Sequence, residues 1–433
     1  MMLPLVTGDH ASPLIWRDEY HDNDRDSHVV TRAGFIHAAK QLATRLPHHT
    51  HVINLCASRL GFMLAWTAAA LRDQVTLLPP NQTSVALQLL KDTYPNHHVI
   101  DDACLSDIDW RTSSNSKIEF DAEHIIATLF TSGSTGVPQS HTKTWGSLTR
   151  TAQLDAQRLT PQPFNLVATV PSQHMFGLQT TVLLPLLANC AIHDSKPFFP
   201  ADIRAALQAI PAPRALITTP THLRTCIASN LQVPDVEFVL SATAPLSIEL
   251  AQQTEAAWNT KVLEIYGSTE AGAMGTRRTT SGDAWQLHDG TQITIGTHNT
   301  FYHATHLPAP LQLNDQIELL DETHFRLLGR DSDQVKIAGK RSSLNELTRV
   351  LLNIAGVNDG VIFMPDDAER TAALVVAPGV DAAHVLDALA QQVDAVFLPR
   401  PLIMLDRLPR NDMGKLTQRA LLEALQTSRV QLP

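Results

Sequence analysis

Short apolar runs separated by amphipathic stretches set the rhythm of the chain. His51–Cys56 reads HVINLC, Gln74–Leu78 reads QVTLL and Ile125–Phe130 reads IIATLF. Leu166–Val170, Ala215–Thr218, Glu237–Leu240 and Val262–Ile265 follow as LVATV, ALIT, EFVL and VLEI. Such runs, bounded by turn residues, predict strands covered on both faces. Helical patterns lie between most of them, among them Arg59–Leu71 and Ser84–Leu90. Strand–helix alternation predicts an α/β protein with parallel-rich sheets covered by helices. Ligands of such sheets bind at the carboxyl ends of strands, so the loops leaving these runs are where chemistry is expected.

The texture changes at FRLLGRDSDQVKIAGKR, residues 325–341, which is charged and punctuated by glycine. Beyond it the spacing predicts a helix near Ser343–Ile354, strands at Gly360–Met364 and Ala372–Val376, and a helix at Ala382–Gln392. The boundary is placed at Arg330. It separates a large domain, 1–329, from a small α+β domain, 330–433.

Composition narrows the function. The 433 residues are 44% hydrophobic and 18% charged, as in a folded chain with a large core. A net charge of −10 argues against a nucleic-acid surface, which needs a basic excess. The longest apolar stretches, Leu60 to Leu71 and Thr181 to Ile192, are too short to span a bilayer. The N-terminal residues lack a charged region followed by a long apolar one, so no signal peptide and a cytoplasmic location are expected. Cys56, Cys104, Cys190 and Cys226 lie far apart, form no CxxC, and read as small hydrophobes in a reducing compartment. The histidines at 48, 49, 51, 303 and 306 belong to no zinc motif and read as solvated loop residues.

Four loops carry chemistry. LFTSGSTGVPQ follows the strand at Ile125, and Thr131, Ser132, Gly133, Ser134, Thr135 and Gly136 offer hydroxyls, N–H groups and two glycines to one point. That is how proteins surround a phosphate, although a polar surface turn has the same composition. Tyr266, Gly267, Ser268, Thr269 and Glu270 end the strand VLEI with a ring, two hydroxyls and a carboxylate suited to Mg²⁺. Asp315, with Arg330 after Gly329, suits ribose hydroxyls, and Lys415 lies on the Gly-containing turn LPRNDMGK. Taken singly, a tight turn, a solvated ion pair and a surface lysine explain the last three equally well.

Taken together and in order, these loops resemble the acyl-adenylate-forming superfamily: acyl- and aryl-CoA synthetases, peptide-synthetase adenylation domains and luciferases. TSGSTGVP resembles its phosphate loop, YGSTE its adenylate and Mg²⁺ motif, and LPRNDMGK its C-terminal lysine motif. PSQHMFG, residues 171–177, resembles the motif with the acyl-site histidine, here His174. Ser241, Ala242, Thr243, Ala244 and Pro245, followed by Leu246, resemble the adenine-side loop. The resemblance covers roughly residues 50–425. It implies ATP and Mg²⁺, with acyl-AMP formed and pyrophosphate released. The acyl group then passes to a phosphopantetheine thiol, of an acyl carrier protein or of CoA. Residue by residue, it implies Lys415 at the reacting carboxylate and α-phosphate, Thr269 at the α-phosphate, Glu270 on Mg²⁺, and Tyr266 against adenine. Asp315 and Arg330 would hold the ribose. Asp331 and Ser332 would form the hinge, and Lys336 and Gly339 would border the thiol channel after rotation of the small domain.

The chain also departs from the pattern. Gln139 and Ser140 stand where lysine and glycine are usual, and Lys143, expected on a following helix, is a candidate substitute for the lost charge. Ser332 replaces the usual hinge Asp or Lys, and the segment between Glu270 and Asp315 is short. This compact form is similar to stand-alone aryl acid ligases of bacterial aryl polyene and xanthomonadin-type pigment pathways, which implies a hydroxybenzoate-like acid. A general fatty acyl or short-chain synthetase and a non-catalytic nucleotide-binding homologue are the alternatives. An amino-acid-activating domain would place an acid in SQHMFGLQ to pair the ammonium, and none is there. A P-loop kinase would need GK[ST] after the loop, which is also missing.

Overall fold

Two sheets form where the buried runs meet. The computed structural model describes residues 1–17, 28–132, 138–160, 162–297, 299–330, 333–337, 340–366, 368–411 and 414–430. The smaller sheet has five strands in the order His97–Ile100, His51–Asn54, Val75–Leu78, Ile125–Ser132 and Pro138–Thr144. The first four are parallel and the last pairs antiparallel. The larger sheet has eleven strands. Its centre is parallel: Pro13–Trp16, Cys190–His193, Phe164–Ala168, Arg214–Thr218, Phe238–Ser241 and Lys261–Ser268. Val29–Thr31 closes one edge antiparallel, and Gly272–Arg278, Ala284–Leu287, His324–Arg330 and Asp315–Leu319 extend the other. The architecture is the expected α/β one, and the antiparallel margins are what the period-2 signal of short polar strands left unread.

The helix Arg59–Ala70 is buried along its whole length. After Arg59, its mostly apolar LGFMLAWTAAA pattern fits a helix packed on every side rather than an amphipathic surface helix. Ser58 caps it by accepting from the Gly61 N–H, and Asp102 accepts from the Ser58 hydroxyl at 2.6 Å. Trp66 on this helix meets Trp145 of the next layer with ring centroids 5.9 Å apart. Cys56 and Cys104, distant in sequence, bring their sulfurs to 4.0 Å, and Cys104 is only half-buried.

The segment PQSHTKT corrects the expectation for Lys143. It forms the strand Pro138–Thr144, and the helix starts only at Trp145, capped by Thr144. Backbone pairing with Ile125–Ser132 outweighs the polar character of these side chains.

After Arg330 the elements build their own layers. A hairpin of Gln334–Ile337 and Lys340–Ser343 leads into the helix Leu344–Leu352. Asp359–Phe363, Ala372–Val376 and Leu402–Met404 form a three-stranded sheet, with the helices Ala382–Ala390 and Gln418–Val430. Leu347, Leu351, Ile362, Val375, Val385 and Leu389 form a core here. Arg224 and Asp359, at 3.7 Å, link these elements to the larger sheet.

Candidate active site

Three strand ends of the larger sheet meet the C-terminal elements. Lys261–Ser268 turns back into Gly272–Arg278 through a bulged antiparallel pairing. Gly267 permits this turn, because a Cβ there would stand 2.3 Å from the Gly272 carbonyl oxygen. Ser268 Oγ accepts from the Ala271 N–H at 3.2 Å, so the tip bearing Thr269 and Glu270 is tightly held. One strand over, Phe238–Ser241 runs into the loop 241–246. Thr243 adopts φ 78° there, a left-handed value that is a real outlier for a β-branched residue and is found at functional sites. The buried Glu264 secures that loop: it accepts from the Leu246 N–H at 3.2 Å, from Arg277 Nε at 2.7 Å and from the Thr279 hydroxyl at 2.7 Å.

The third end is that of Phe164–Ala168, which leads into Pro171–Gly177. The Gly177 backbone passes so close to this loop that a Cβ would lie 1.8 Å from the Pro171 carbonyl oxygen. Arg59 holds the same loop from the buried helix. Its guanidinium donates to the Ala168 carbonyl, to the Val170 carbonyl at 3.0 Å and to Ser172 Oγ at 3.3 Å. Burial lowers that guanidinium to about 10, with the nearby Asp194 carboxylate opposing the shift. Arg59 belongs to no motif. The signal available for it is a basic residue at the start of an otherwise apolar helix.

These ends enclose a cavity of about 180 Å³. Thr131, His174, Thr243, Thr269 and Lys415 line it together, as do Ala242, Gly267 and Ser268. Ser241 is buried behind the wall, while Ala244 and Pro245 lie further along their loop and outside the lining. Burial, and then the Lys415 and Lys196 ammonium groups, push the His174 imidazole down to about 4. His174 is therefore neutral at physiological pH. The Lys415 turn is braced from within. Lys415 N–H donates to Asn411 Oδ1 at 2.9 Å, and Arg410 donates to the Gly414 carbonyl at 2.6 Å while forking onto Asp359 at 2.6 and 2.8 Å.

Beyond Gly267 the Tyr266 hydroxyl donates to Asp315 Oδ2 at 2.7 Å. The adenine and ribose candidates thus form one unit, with the Tyr266 ring packed on Trp285 and Phe325. Glu270 follows the lining residue Thr269 and is not itself part of the cavity lining. Burial alone would push its carboxyl up, but its own backbone N–H, Ser268, His141 and Lys143 bring it below the ordinary range. His141 joins Thr131 to this carboxylate, with Nε2 3.0 Å from Thr131 Oγ1 and 3.7 Å from Glu270 Oε1. Lys143 Nζ donates to the Glu270 carbonyl at 2.6 Å. Burial brings this ammonium down to about 8, opposed by Glu270. Lys143 thus sets its ammonium group against the backbone of Glu270. His141 and Lys143 escape motif reading because a polar strand conceals which face they share.

No three His, Cys, Asp or Glu side chains cluster as a metal cage among the described residues. A single carboxylate beside the Ser268 and Thr269 hydroxyls instead fits Mg²⁺, which takes one or two carboxylates and completes its shell with phosphates and water. Gly133, Ser134, Thr135, Gly136, Asp331, Ser332 and Gly339 lie outside the described residues, as do the side chains of Ser132 and Arg330. Lys336 is exposed on its hairpin and is not part of the cavity lining. His306 is not a solvated loop residue: its ring is half-buried, with Nε2 3.1 Å from the Ala271 carbonyl oxygen.

Residues 29–329 match the family model described as AMP-binding enzyme. A 4-coumarate–CoA ligase of Halorhodospira halophila is 31% identical over 301 residues, which span 67% of this chain and 74% of that protein. A second 4-coumarate–CoA ligase, from Rhodobacter capsulatus, is 31% identical over 54% of this chain and 60% of its own length. Among solved structures, ATP-bound MatB from Rhodopseudomonas palustris superposes with a TM-score of 0.79 at 18% identity, covering 97% of each chain. The anthranilate CoA ligase AuaEII with anthranoyl-AMP superposes with a TM-score of 0.78 at 13% identity over 99% of each. At such identities these structures speak for the fold alone.

Proposed function

Since this chain belongs to the AMP-binding enzyme family and is an AMP-forming acid–thiol ligase, we propose that it activates an aromatic, hydroxybenzoate-like acid and delivers the acyl group to a phosphopantetheine thiol. The observation that carries this reading is the convergence of Lys415, His174, Thr269 and Thr131 on one cavity. The aromatic acid is supported by the 4-coumarate–CoA ligase relatives and by the apolar wall of Phe130, Met175, Phe176 and Ile265.

The proposed chemistry follows from charge. A carboxylate oxygen of the acid attacks the α-phosphorus of ATP, the bond to the β-phosphate oxygen breaks, and pyrophosphate leaves. Two anions must approach, so the site must supply positive charge in advance. Lys415 brings an ammonium to the cavity, and the braced Arg410–Asp359 turn holds it there. Bound Mg²⁺ would supply further positive charge to the phosphates, with Glu270 as its protein-side carboxylate and Thr269 at the α-phosphate. His174, neutral and buried, offers the incoming carboxylate a polar neighbour without adding a charge that must be desolvated. Tyr266 and Asp315 receive the nucleoside as one hydrogen-bonded unit. In the second step the thiol sulfur attacks the acyl carbon and AMP departs. We assign the elements beyond about Arg330 to a mobile unit that withdraws Lys415 between the steps, as in lid-gated enzymes.

The test is pyrophosphate release from ATP and Mg²⁺ with 3- and 4-hydroxybenzoate, cinnamates, fatty acids, malonate and amino acids. Release with an aromatic acid is expected, with kcat lowered on the order of 10²-fold or more by Lys415→Ala, as for loss of a preorganised charge at a reacting centre. Thioester formation with CoA and with phosphopantetheinylated carrier protein then identifies the acceptor. Release with fatty acids alone would overturn the aromatic reading. Turnover unaffected by Lys415→Ala would overturn the assigned mechanism.

A further inference from the structure

In the wall of the cavity lies a donor that no described residue answers. Gln179 lines the cavity yet is only 3% exposed, and its Nε2 has no hydrogen-bond partner among the described residues. Buried amide groups are nearly always paired, because an unpaired one forfeits its hydration without return. The backbone here is also unusual. Gln179–Leu183 is a π-helical turn set between the α-helical Met175–Leu178 and Leu184–Leu187. Such turns are rare and concentrate at functional sites, where the extra residue re-aims a side chain. The neighbouring Thr180 and Thr181 hydroxyls donate back to the Phe176 and Gly177 carbonyls, each at 2.7 Å. Gln179 makes no such local bond from Nε2.

The facing wall is backbone rather than side chain. Gly272 lines the same cavity with φ +77°, and a Cβ there would stand 3.0 Å from Gln179 Nε2 and 2.9 Å from Thr151 Cγ2. Any side chain at 272 would therefore press on the amide and cover it. Gln179 follows His174 by five positions, which is about 7 Å of helix rise and comparable with the span of an aromatic ring.

We propose that Gln179 Nε2 donates to an oxygen carried by the acid at the end remote from its reacting carboxylate, and so selects acids bearing a hydroxyl or carbonyl there over unsubstituted acids of the same shape. The inference rests on the ligase reading above and deepens it. A site built around a buried polar group rejects an analogue that leaves the group unpaired far more strongly than an apolar pocket rejects a missing methylene.

The experiment compares kcat/KM for pyrophosphate release in the wild type, Gln179→Leu and Gln179→Met. The acids are matched pairs: benzoate with 4-hydroxybenzoate, cinnamate with 4-coumarate, and hexanoate with 5-oxohexanoate. The wild type is expected to favour the oxygen-bearing member of at least one pair by about tenfold or more, and both variants to bring that ratio near one. Thermal unfolding without ligand supplies a second readout. Removing an unanswered amide is expected to leave the midpoint unchanged or raise it. A wild-type ratio near one in every pair, a ratio that survives both substitutions, or a clear fall in the midpoint of both variants overturns the proposal. A preference confined to the aliphatic pair and lost in both variants overturns the aromatic reading but sustains the role of Gln179. No release with any acid overturns both.

Discussion

The bond from Tyr266 to Asp315 joins two residues 49 positions apart that the motifs assign to different parts of a nucleotide. A phenol hydroxyl at 2.7 Å from a carboxylate oxygen makes a charge-assisted bond, which fixes the ring plane and the carboxylate together. Tyr266→Phe keeps the ring and removes only the hydroxyl. The expected result is an ATP KM raised about fivefold, the worth of a bond of roughly 1 kcal/mol, with kcat within about twofold of wild type. Initial rates at varied ATP measure it. An unchanged KM would mean that Asp315 keeps its place without the tyrosine. Lys143 shows a second lesson of this scale. It reaches the Glu270 carbonyl from a strand, where the sequence alone predicts a helix.

At the scale of elements, the hairpin of Lys261–Ser268 and Gly272–Arg278 does most to shape the site. Its tip presents Ser268, Thr269 and Glu270, and its second strand supplies Gly272 and Ala273 to the cavity wall. The two backbones approach closely at Gly267, where a Cβ would also lie 2.9 Å from the Ala273 Cα. Backbone atoms cannot swing aside as a flexible side chain can. Gly267→Ala is therefore expected to open the hairpin and cost about 2 kcal/mol of stability, in the range of overpacked positions. Denaturant unfolding of the variant checks this, and a midpoint equal to wild type would show that the hairpin yields without cost. The turn bearing Lys415 is a smaller element braced differently, by Arg410 gripping both Asp359 and the Gly414 carbonyl.

At the scale of the molecule, Asp359 stands between two arginines. Arg410 belongs to its own group of elements, while Arg224 lies on the helix Pro220–Ala228 beside the larger sheet. Burial lowers the Arg224 guanidinium, and Asp359 opposes that. The 3.7 Å Arg224–Asp359 pair therefore favours the arrangement in which Lys415 lines the cavity. If the elements after Arg330 turn away for thiol transfer, this pair must break first. Arg224→Ala is then expected to slow pyrophosphate release by about threefold to tenfold, the range for a partly buried ion pair, while thioester formation from preformed acyl-AMP is as fast or faster. Single-turnover assays of each half-reaction separate the two. Equal slowing of both would argue against a mobile unit governed by this contact.

Patterning alone determined the α/β class and the central strands, because runs such as LVATV are buried on both faces and carry little else. It also marked Tyr266–Glu270 as a strand-end loop, since glycine and hydroxyl residues follow an apolar run there, whereas the turn with Lys415 stood out only through its resemblance to the family motif. Tertiary structure alone decided the rest. PQSHTKT became a strand because a neighbouring strand offered its hydrogen bonds, against the propensity of its side chains. Arg59 and His141 matter through partners more than a hundred positions away, and no local pattern encodes such distances. Gln179 reads as one more polar residue after MFGL until the fold buries it and leaves its Nε2 without a partner among the described residues. Local physics writes elements into a sequence; the partners that make a side chain costly or useful are set only when those elements pack.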